Sequence, residues 1–472
     1  MKELPFKVDS AHTKTTAKTR VRRVRWWLIA TILVTPLAVL WLAWFGFRIG
    51  WTWRENDGRA QMAVRLQELS ERGIPADDQS VQQHYSDTTS VANLEEWYEV
   101  FGCLQDDGFL SDFAGVRYID ASVEVDEFAD PFPIGDAWES ASAAVAATEK
   151  HRDAIEKIRR LASSELPVRF PFFFQATETL LPELQESRGM ARLLFCDAQV
   201  AVHLGDAERA AKDIVALGEL AKHAEAIPFG IARVVGIAYR REALKAMQAA
   251  IRIDLFDQKQ LQLLDSYCSE RTAIGTRWQD MILGEMSVHM SVFTNPAVAM
   301  KSASPIPARG HDAVYYIDLM QRAADVDTLD FISFHSAAAE RLAEVEDDSS
   351  NWLETADRIL SRLLAPPFSS YAELLINDCL QHRLARLAIA SRLYERKEGK
   401  LPDRLQVLPE KRFVIAPLRK QRFGFRRTQH GVTLWGLHFS AAVQKVAERI
   451  PDQDGATVKA LNNRAVVWYL DD

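Results

Sequence analysis

A run of 22 residues without a charged side chain, Trp26–Phe47, constrains this chain more than any other feature. As an α-helix it would rise about 33 Å, enough to cross a hydrocarbon core of about 30 Å. Tryptophans lie at both ends of the run, as in the aromatic belt of a membrane protein. The sequence therefore predicts an N-terminal transmembrane helix, with the lipid bilayer as a partner through Trp26–Phe47.

The charges on either side of this run predict its direction. Residues 1–25 hold eight lysines and arginines against two acidic side chains, and the other flank has a much weaker bias. Because cytoplasmic flanks are enriched in basic residues, 1–25 is predicted to be a cytoplasmic tail and the main domain to be periplasmic, at the inner membrane. The run ends in bulky Trp44, Phe45 and Phe47 with no small-residue cleavage site, which favours an uncleaved anchor over a signal peptide.

The remainder of the chain is acidic. The net charge is -8, so the residues after the basic tail together carry -14. Nucleic-acid binding needs clustered lysine and arginine, and the composition argues against a nucleic-acid partner. The four cysteines have no CxxC spacing, which disfavours a zinc site and favours buried free thiols. Whether any two form a disulfide is left open for Cys103, Cys196, Cys268 and Cys379.

Residues 55–398 are predicted to form an α-helical extracytoplasmic domain. In the most regular part, one helix covers 184–204, Gly205 ends it, and Asp206 can cap a second, alanine-rich helix. Pro228 breaks the second helix before a third. This hairpin pattern resembles tetratricopeptide-type solenoids, although no clean 34-residue period is found. Further predictions are a helix over 59–72, a polar loop over 76–92, a strand over 116–125, a helix over 136–162, a loop over 294–311 and a helix over 371–397.

The last part of the chain, 399–472, is predicted to be a small α+β module. Residues 422–427 and 432–437 flank a turn containing Gly431, which is typical of a β-hairpin. Residues 465–470 predict a last strand, and 440–450 a short helix. The predicted fold class is thus mainly α, with an N-terminal transmembrane helix, a helical-hairpin domain and this module.

No catalytic, metal or nucleotide motif stands out. Glu285 and His289 are four residues apart on one helix face, so both could reach one metal, although no third ligand is visible and a buried Glu–His contact is the simpler interpretation. Cys379 and His382 form a similar, weaker pair. No cofactor is predicted. The aromatic run 166–174 is interpreted as core more than as a binding patch, and Arg240–Arg241 as a surface pair.

Two stretches resemble a known group of proteins. Residues 192–251 contain a Leu/Ala helix, a Gly205-Asp206 turn, an Ala-rich helix, a proline break and Gly-Ile-Ala; Gly284-Glu285 follows in a later helix. This order resembles membrane-anchored, helix-rich proteins of unknown function common in planctomycetes. A second match lies in 383–405, and the ending is similar to the C-terminal region of pseudopilins, although the anchor lacks their Gly-Phe processing site with a glutamate five residues on. The resemblance implies an architecture and carries no known chemistry.

The function expected from these features is binding or scaffolding at the cell envelope, with envelope proteins as possible partners. Whether the protein is an enzyme is left open, with the balance toward a non-enzyme. The alternatives are an extracytoplasmic hydrolase with a dispersed active site, and a pseudopilin-like assembly component.

Overall fold

The computed structural model describes residues 12–113, 116, 138–174, 179, 181–272, 274–294, 310–328, 331–346, 358–408, 423–428, 431–437 and 465–471. Side chains are described from Thr35 onward, except at 110, 331–332, 342, 345–346, 359, 428, 437, 465–467 and 469. It is mainly helical with a small antiparallel sheet, as the sequence predicts. The helices are α1 His12–Glu71, α2 Asp78–Thr88, α3 Leu94–Gln105, α4 Asp107–Asp112, α5 Ala141–Lys150, α6 Arg152–Ala162, α7 Pro182–Leu204, α8 Ala207–Glu225, α9 Gly230–Arg252, α10 Gln258–Ser269, α11 Gly275–Thr294, α12 Gly310–Ala324, α13 Phe331–Glu346, α14 Ile359–Leu364 and α15 Phe368–Glu398. The strands are β1 Gly424–Thr428, β2 Gly431–Leu437 and β3 Ala465–Asp471.

The centre of the molecule is the three-helix unit α7–α8–α9, whose predicted boundaries are confirmed. Gly205 adopts a left-handed conformation (φ 74°) and ends α7, and the Asp206 side chain accepts a hydrogen bond from the Arg209 N–H at the start of α8. Small residues along α8, among them Ala210 and Ala221, are fully buried and allow α7 and α9 to pack closely on either side.

The long helix α15 lies across this unit and joins it to the sheet. It packs against α9, α10 and α13, and β2 and β3 pack against α15. The sheet order is β1–β2–β3, antiparallel throughout, with Leu434 opposite Trp468. Alternate side chains of β2 and β3 are buried against the helices, as on one face of a sheet: these are Val432, Leu434, Trp468 and Leu470.

Several boundaries predicted from the sequence are wrong. The segment 76–92 contains helix α2, which Asp77 and Ser80 start with a reciprocal capping box. The helix predicted over 136–162 is interrupted at His151, and 59–72 is the end of α1. The predicted helix over 440–450 and, except for Val116, the strand over 116–125 lie outside the described residues, as does most of the loop over 294–311.

Within the described part of the chain, no helix is long and apolar enough to cross a membrane. Side chains of the predicted span 26–47 are described only for 35–47.

Candidate functional site

The strongest concentration of buried charge in the described residues surrounds Asp378 on α15. Its carboxylate accepts hydrogen bonds from Arg277 Nη2 of α11 (2.6 Å) and from Arg240 Nε of α9 (3.3 Å). Arg240 Nη1 also contacts Glu225 Oε1 at the end of α8 (2.6 Å). Since Asp378 is fully buried and Arg240 is only 2% exposed, the surface position predicted for Arg240 is wrong. The network ties together four helices.

The arginines of this network keep its two carboxylates ionised. Burial alone would raise the pKa of Asp378, but the charges of Arg240 and Arg277 outweigh burial and hold that pKa well below its usual range. Burial would likewise raise the pKa of Glu225, yet Arg240 and Arg277 lower it. Two guanidinium groups therefore balance two carboxylates, and the network has no net charge available for an ionic ligand.

His382, one turn after Asp378, is part of the same network. Its Nδ1 lies 2.8 Å from the Asp378 carbonyl oxygen, which can only accept, so Nδ1 carries the proton. Burial lowers the pKa of His382 to about 4. Its Nε2, together with the Tyr267 hydroxyl and one nitrogen each of Arg240 and Arg277, has no hydrogen-bond partner among the described atoms. Cys379 and His382 are the weaker metal candidates of the sequence analysis. The Cys379 thiol donates to the Thr272 carbonyl oxygen (2.8 Å).

A second buried ionic network joins α6, α7 and α8. Arg159 donates to Asp213 Oδ1 (2.7 Å) and to Asp197 Oδ2 (2.6 Å), and Arg209 donates to Asp197 Oδ2 (3.0 Å). Both aspartates are almost completely buried. Burial and the neighbouring Asp197 raise the pKa of Asp213 well above its usual value. The two carboxylates lie between packed helices, which indicates that this network has a structural role.

The predicted metal candidates, Glu285 and His289, have other partners. Glu285 Oε1 accepts from the Gly230 N–H at the start of α9 (2.7 Å) and from the Tyr371 hydroxyl (3.3 Å). His289 Nδ1 lies 3.2 Å from the Tyr316 hydroxyl and 3.7 Å from Glu285 Oε2. No group of three or more metal-ligating side chains is found among the described residues.

Burial sets the protonation of this pair. It raises the pKa of Glu285 and lowers that of His289 to about 4. Phe229, the residue before α9, makes no side-chain cap, so Glu285 from α11 takes that role. Neighbouring Gly284 permits the approach, because a Cβ there would lie 3.2 Å from the Pro228 carbonyl oxygen. The Gly-Glu pair noted in the sequence therefore has a structural explanation.

The four cysteines are all free thiols. Cys196, Cys268 and Cys379 are fully buried, as predicted, and Cys103 is half-buried. Burial raises the pKa of the Cys379 thiol to about 11 and raises those of Cys196 and Cys268 further. The three buried thiols are therefore poor nucleophiles.

Three of the surface grooves formed by the described residues have room for a partner. The largest, about 630 Å³, lies between α3 and α6 and is lined by Cys103 and by charged side chains such as Lys157 and Arg160. A groove of about 500 Å³ is lined by Trp138 and His203, and one of about 240 Å³ by Trp97 and neighbours. All three are open clefts on the surface of the helical domain.

The aromatic run 166–174 belongs mainly to the core. Phe170, Phe172 and Phe174 are buried, whereas Phe173 is 78% exposed, as expected of an extended segment with alternating faces. The Phe170 N–H donates to the Tyr85 hydroxyl (3.0 Å), and the Val168 N–H donates to His223 Nδ1 (3.0 Å). This segment confirms the prediction that the run packs beneath neighbouring helices.

The most unusual surface is that of α1. Every residue from Thr35 to Gly50 is exposed, including large apolar side chains on all sides of the helix. Nothing else in the described chain covers this surface. The large side chains, with exposed fractions of 44–66%, are Leu37, Val39, Leu40, Trp41, Leu42, Trp44, Phe45, Phe47 and Ile49.

Comparison of the chain with family models, curated proteins and solved structures finds no significant match. The resemblance to planctomycete membrane-anchored proteins and to pseudopilins therefore stays a prediction.

The residues that build these networks gave little signal in the sequence. Arg240, Arg277 and Asp378 are separated by up to 138 positions, and nothing local marks them as partners. The only clue was position: each falls among apolar residues on a helix face that packs inward. An ionic residue on such a face predicts a buried partner elsewhere in the chain.

Proposed function

We propose that this protein is a single-pass membrane protein that binds or scaffolds partners at the cell envelope through its helical domain. The observation that carries the anchoring is the exposed surface of α1. Apolar side chains with exposed fractions of 44–66% surround this helix between Leu37 and Ile49. Soluble proteins rarely leave so large an apolar patch uncovered, and a patch around a whole helix fits a lipid environment.

The side chains that follow fit the edge of a bilayer. The Arg48 guanidinium lies 5.3 Å from the Trp44 ring centre, Phe47 stacks on Trp51, and Trp53 is 77% exposed. Aromatic rings beside an arginine are typical of the lipid headgroup level. The basic residues of 1–25 support a cytoplasmic position for that end, and a periplasmic position for the helical domain.

The geometry of the domain supports binding more than hydrolysis. His382, Asp378 and Glu285 are buried and hold other parts of the protein, so a substrate cannot reach them without a rearrangement. The open clefts at α3–α6 and beside Trp138 are suited to a protein or peptide partner. The hairpin packing of α7–α9 supports the analogy with solenoid-like binding domains, and this step rests on fold alone.

A matched pair of variants tests the anchor. Leu40→Arg places a charge within the apolar surface, whereas Val64→Arg places the same charge at a 57% exposed position further along α1. An arginine at a membrane centre costs about 2.5–3.5 kcal/mol on insertion scales. We expect the native chain and Val64→Arg to stay in the membrane pellet after alkaline carbonate washing, and Leu40→Arg to be partly released. Release of the native chain would disprove the anchor.

Purification from native membranes tests the scaffolding. The full chain, solubilised in detergent, should retain specific proteins that are absent when the groove charges Lys157 and Arg160 are both changed to glutamate. Recovery of the protein alone from both samples would contradict a scaffold.

A further inference from the structure

The passage from the exposed apolar surface to the folded domain contains no linker. α1 is one helix from His12 to Glu71. Between the two regions it is reinforced by side-chain pairs four residues apart: Arg59 pairs with Glu55 (2.7 Å), and Gln61 Nε2 donates to Asp57 Oδ2 (2.9 Å). Such pairs stabilise a solvent-exposed helix.

The second part of α1 is built into the domain. Leu69 is completely buried, and Met62 and Leu66 pack against the core. These positions and Gly58 recur at spacings of three and four, so they form one face of the helix. That face lies on α12.

The contact between α1 and α12 is unusually close because glycine stands on both sides. A Cβ on Gly58 would lie 2.5 Å from the His311 backbone nitrogen, and a Cβ on Gly310 would lie 2.2 Å from the Arg59 backbone nitrogen. Neither atom can move without moving a helix backbone. At Gly50, by contrast, a Cβ would meet nothing within 4 Å.

Two side-chain contacts between α1 and α12 show how the helices run, one at the crossing and one further along. Asp57 lies 3.6 Å from His311, and Arg65 lies 3.3 Å from Asp318. The partners advance by about the same number of residues on both helices, so α1 and α12 run parallel. The crossing at Gly58 lies five residues beyond Trp53, which corresponds to about 8 Å along the helix axis.

We propose that the Gly58–Gly310 crossing makes α1 and α12 a rigid mount, which holds the helical domain against the lipid headgroups in a single orientation. The inference rests on the membrane anchoring proposed above. The lipid headgroup layer is then the partner of the membrane-facing end of the domain. A tilt or rotation of the anchor is transmitted to the domain.

A distance measurement between two spin labels tests this mount. In a Cys103→Ser background, whose other thiols are buried, Ile49→Cys on α1 and Leu263→Cys on α10 provide exposed labelling sites. We expect one narrow distance distribution for the full chain in lipid nanodiscs. Gly50→Leu should leave it narrow, and Gly58→Leu should broaden or shift it.

A second variant covers the case in which Gly58→Leu does not fold. Six inserted residues, Gly-Gly-Ser-Gly-Gly-Ser, after Trp53 leave the crossing intact and interrupt the helix, and we expect a broad distribution. A broad distribution in the native background, a narrow one after the insertion, or an unchanged one in folded Gly58→Leu would overturn the mount. A protein absent from the membrane fraction would overturn the anchoring instead, so the two failures are distinguishable.

Discussion

At the scale of single residues, this protein places charged and polar side chains in its interior and pairs them there. Asp378, Asp197 and Asp213 are almost completely inaccessible, and each is held by arginine. Such pairs contribute little net stability compared with apolar packing, but removing one partner leaves an uncompensated charge. The interior is therefore more sensitive to single polar substitutions than to loss of surface charge.

Asp378→Asn is expected to destabilise the protein strongly. The amide leaves Arg240 and Arg277 buried with no carboxylate between them, and breaking a buried pair typically costs about 3–5 kcal/mol. Asp403→Asn is the control, because Asp403 is 67% exposed in its pair with Lys400 and such pairs contribute about 0–1 kcal/mol. Denaturant unfolding of both full-length variants measures the difference. Equal midpoints would show that Asp378 does not compensate the arginines.

Three histidines with lowered pKa values predict a pH dependence of stability. Burial lowers the pKa of His223, His289 and His382 from 6.5 to about 4. Between these pKa values the unfolded chain binds protons that the folded chain excludes. The stability that these histidines contribute is therefore fully present above about pH 6.5 and is lost as the pH falls toward 4. Each shift corresponds to up to about 3 kcal/mol.

His223 offers the sharpest test of this pH dependence. Its Nδ1 accepts from the Val168 N–H, so its Nε2 donates to the Ala162 carbonyl oxygen (3.1 Å), and protonation would destroy the first bond. We expect His223→Gln to flatten the fall in melting temperature between pH 6.5 and 4. His84→Gln, on the exposed side of α2, serves as the control. An unchanged slope in His223→Gln would contradict the assignment.

At the scale of elements, the sequence predicted helix ends where the cap is local. The predicted end at Gly205 and start at Asp206 are confirmed, and Asp257 and Gly399 cap helices in the same local way. It gave no signal where another helix supplies the cap. Arg392 of α15, for example, donates to the carbonyl oxygens of Ile251 (3.0 Å) and Arg252 (2.6 Å) at the end of α9. Such a partner is 140 residues away and cannot be found from spacing.

Gly218 of α8 illustrates packing that overrides helix propensity. A Cβ at Gly218 would lie 1.9 Å from the Tyr267 ring, which is buried between α8 and α15 and stacks on Arg271. Gly102 of α3 is exposed, with nothing within 4 Å of its Cβ position. Glycine to alanine in a helix interior normally gains about 0.5–1 kcal/mol.

We therefore expect opposite results from the same substitution at these two glycines. Gly102→Ala should stabilise the protein by about 0.5–1 kcal/mol. Gly218→Ala should destabilise it, since overpacking costs about 1–3 kcal/mol and exceeds the gain in propensity. Chemical denaturation of both variants measures the signs. Stabilisation by Gly218→Ala would mean that Tyr267 can move aside at little cost.

At the scale of the whole molecule, periodicity predicted the helical class, and the turn at Gly431 between two short runs predicted the hairpin, because both signals depend only on neighbouring residues. Neither pattern predicts which helices meet. The close contact of Gly58 with Gly310 joins positions more than 250 residues apart. The burial of Arg240 likewise depends on Asp378 and Glu225, which no local rule assigns to it. The candidate site was therefore less predictable than the fold class.

The orientation proposed for the chain in a membrane rests on its charge distribution, so a change of charge tests it. The basic flank next to the apolar run contains Arg20, Arg22, Arg23 and Arg25. Because positive residues near an anchor are retained in the cytoplasm, a phosphatase reporter fused after Asp472 should be active. Changing the four arginines to glutamine should lower that activity several-fold, since this removes half of the basic residues of the tail, the four nearest the apolar run.

Four lysines on the domain provide a matched control for this experiment. Lys212, Lys222, Lys397 and Lys400 are 49–82% exposed and far along the chain from the anchor. Their change to glutamine alters the net charge by the same amount, but distant charges contribute little to orientation, so reporter activity should stay at the native level. Equal loss in both variants would attribute the effect to net charge or to folding. A native fusion active only with a cytoplasmic reporter would place the helical domain on the other side of the membrane.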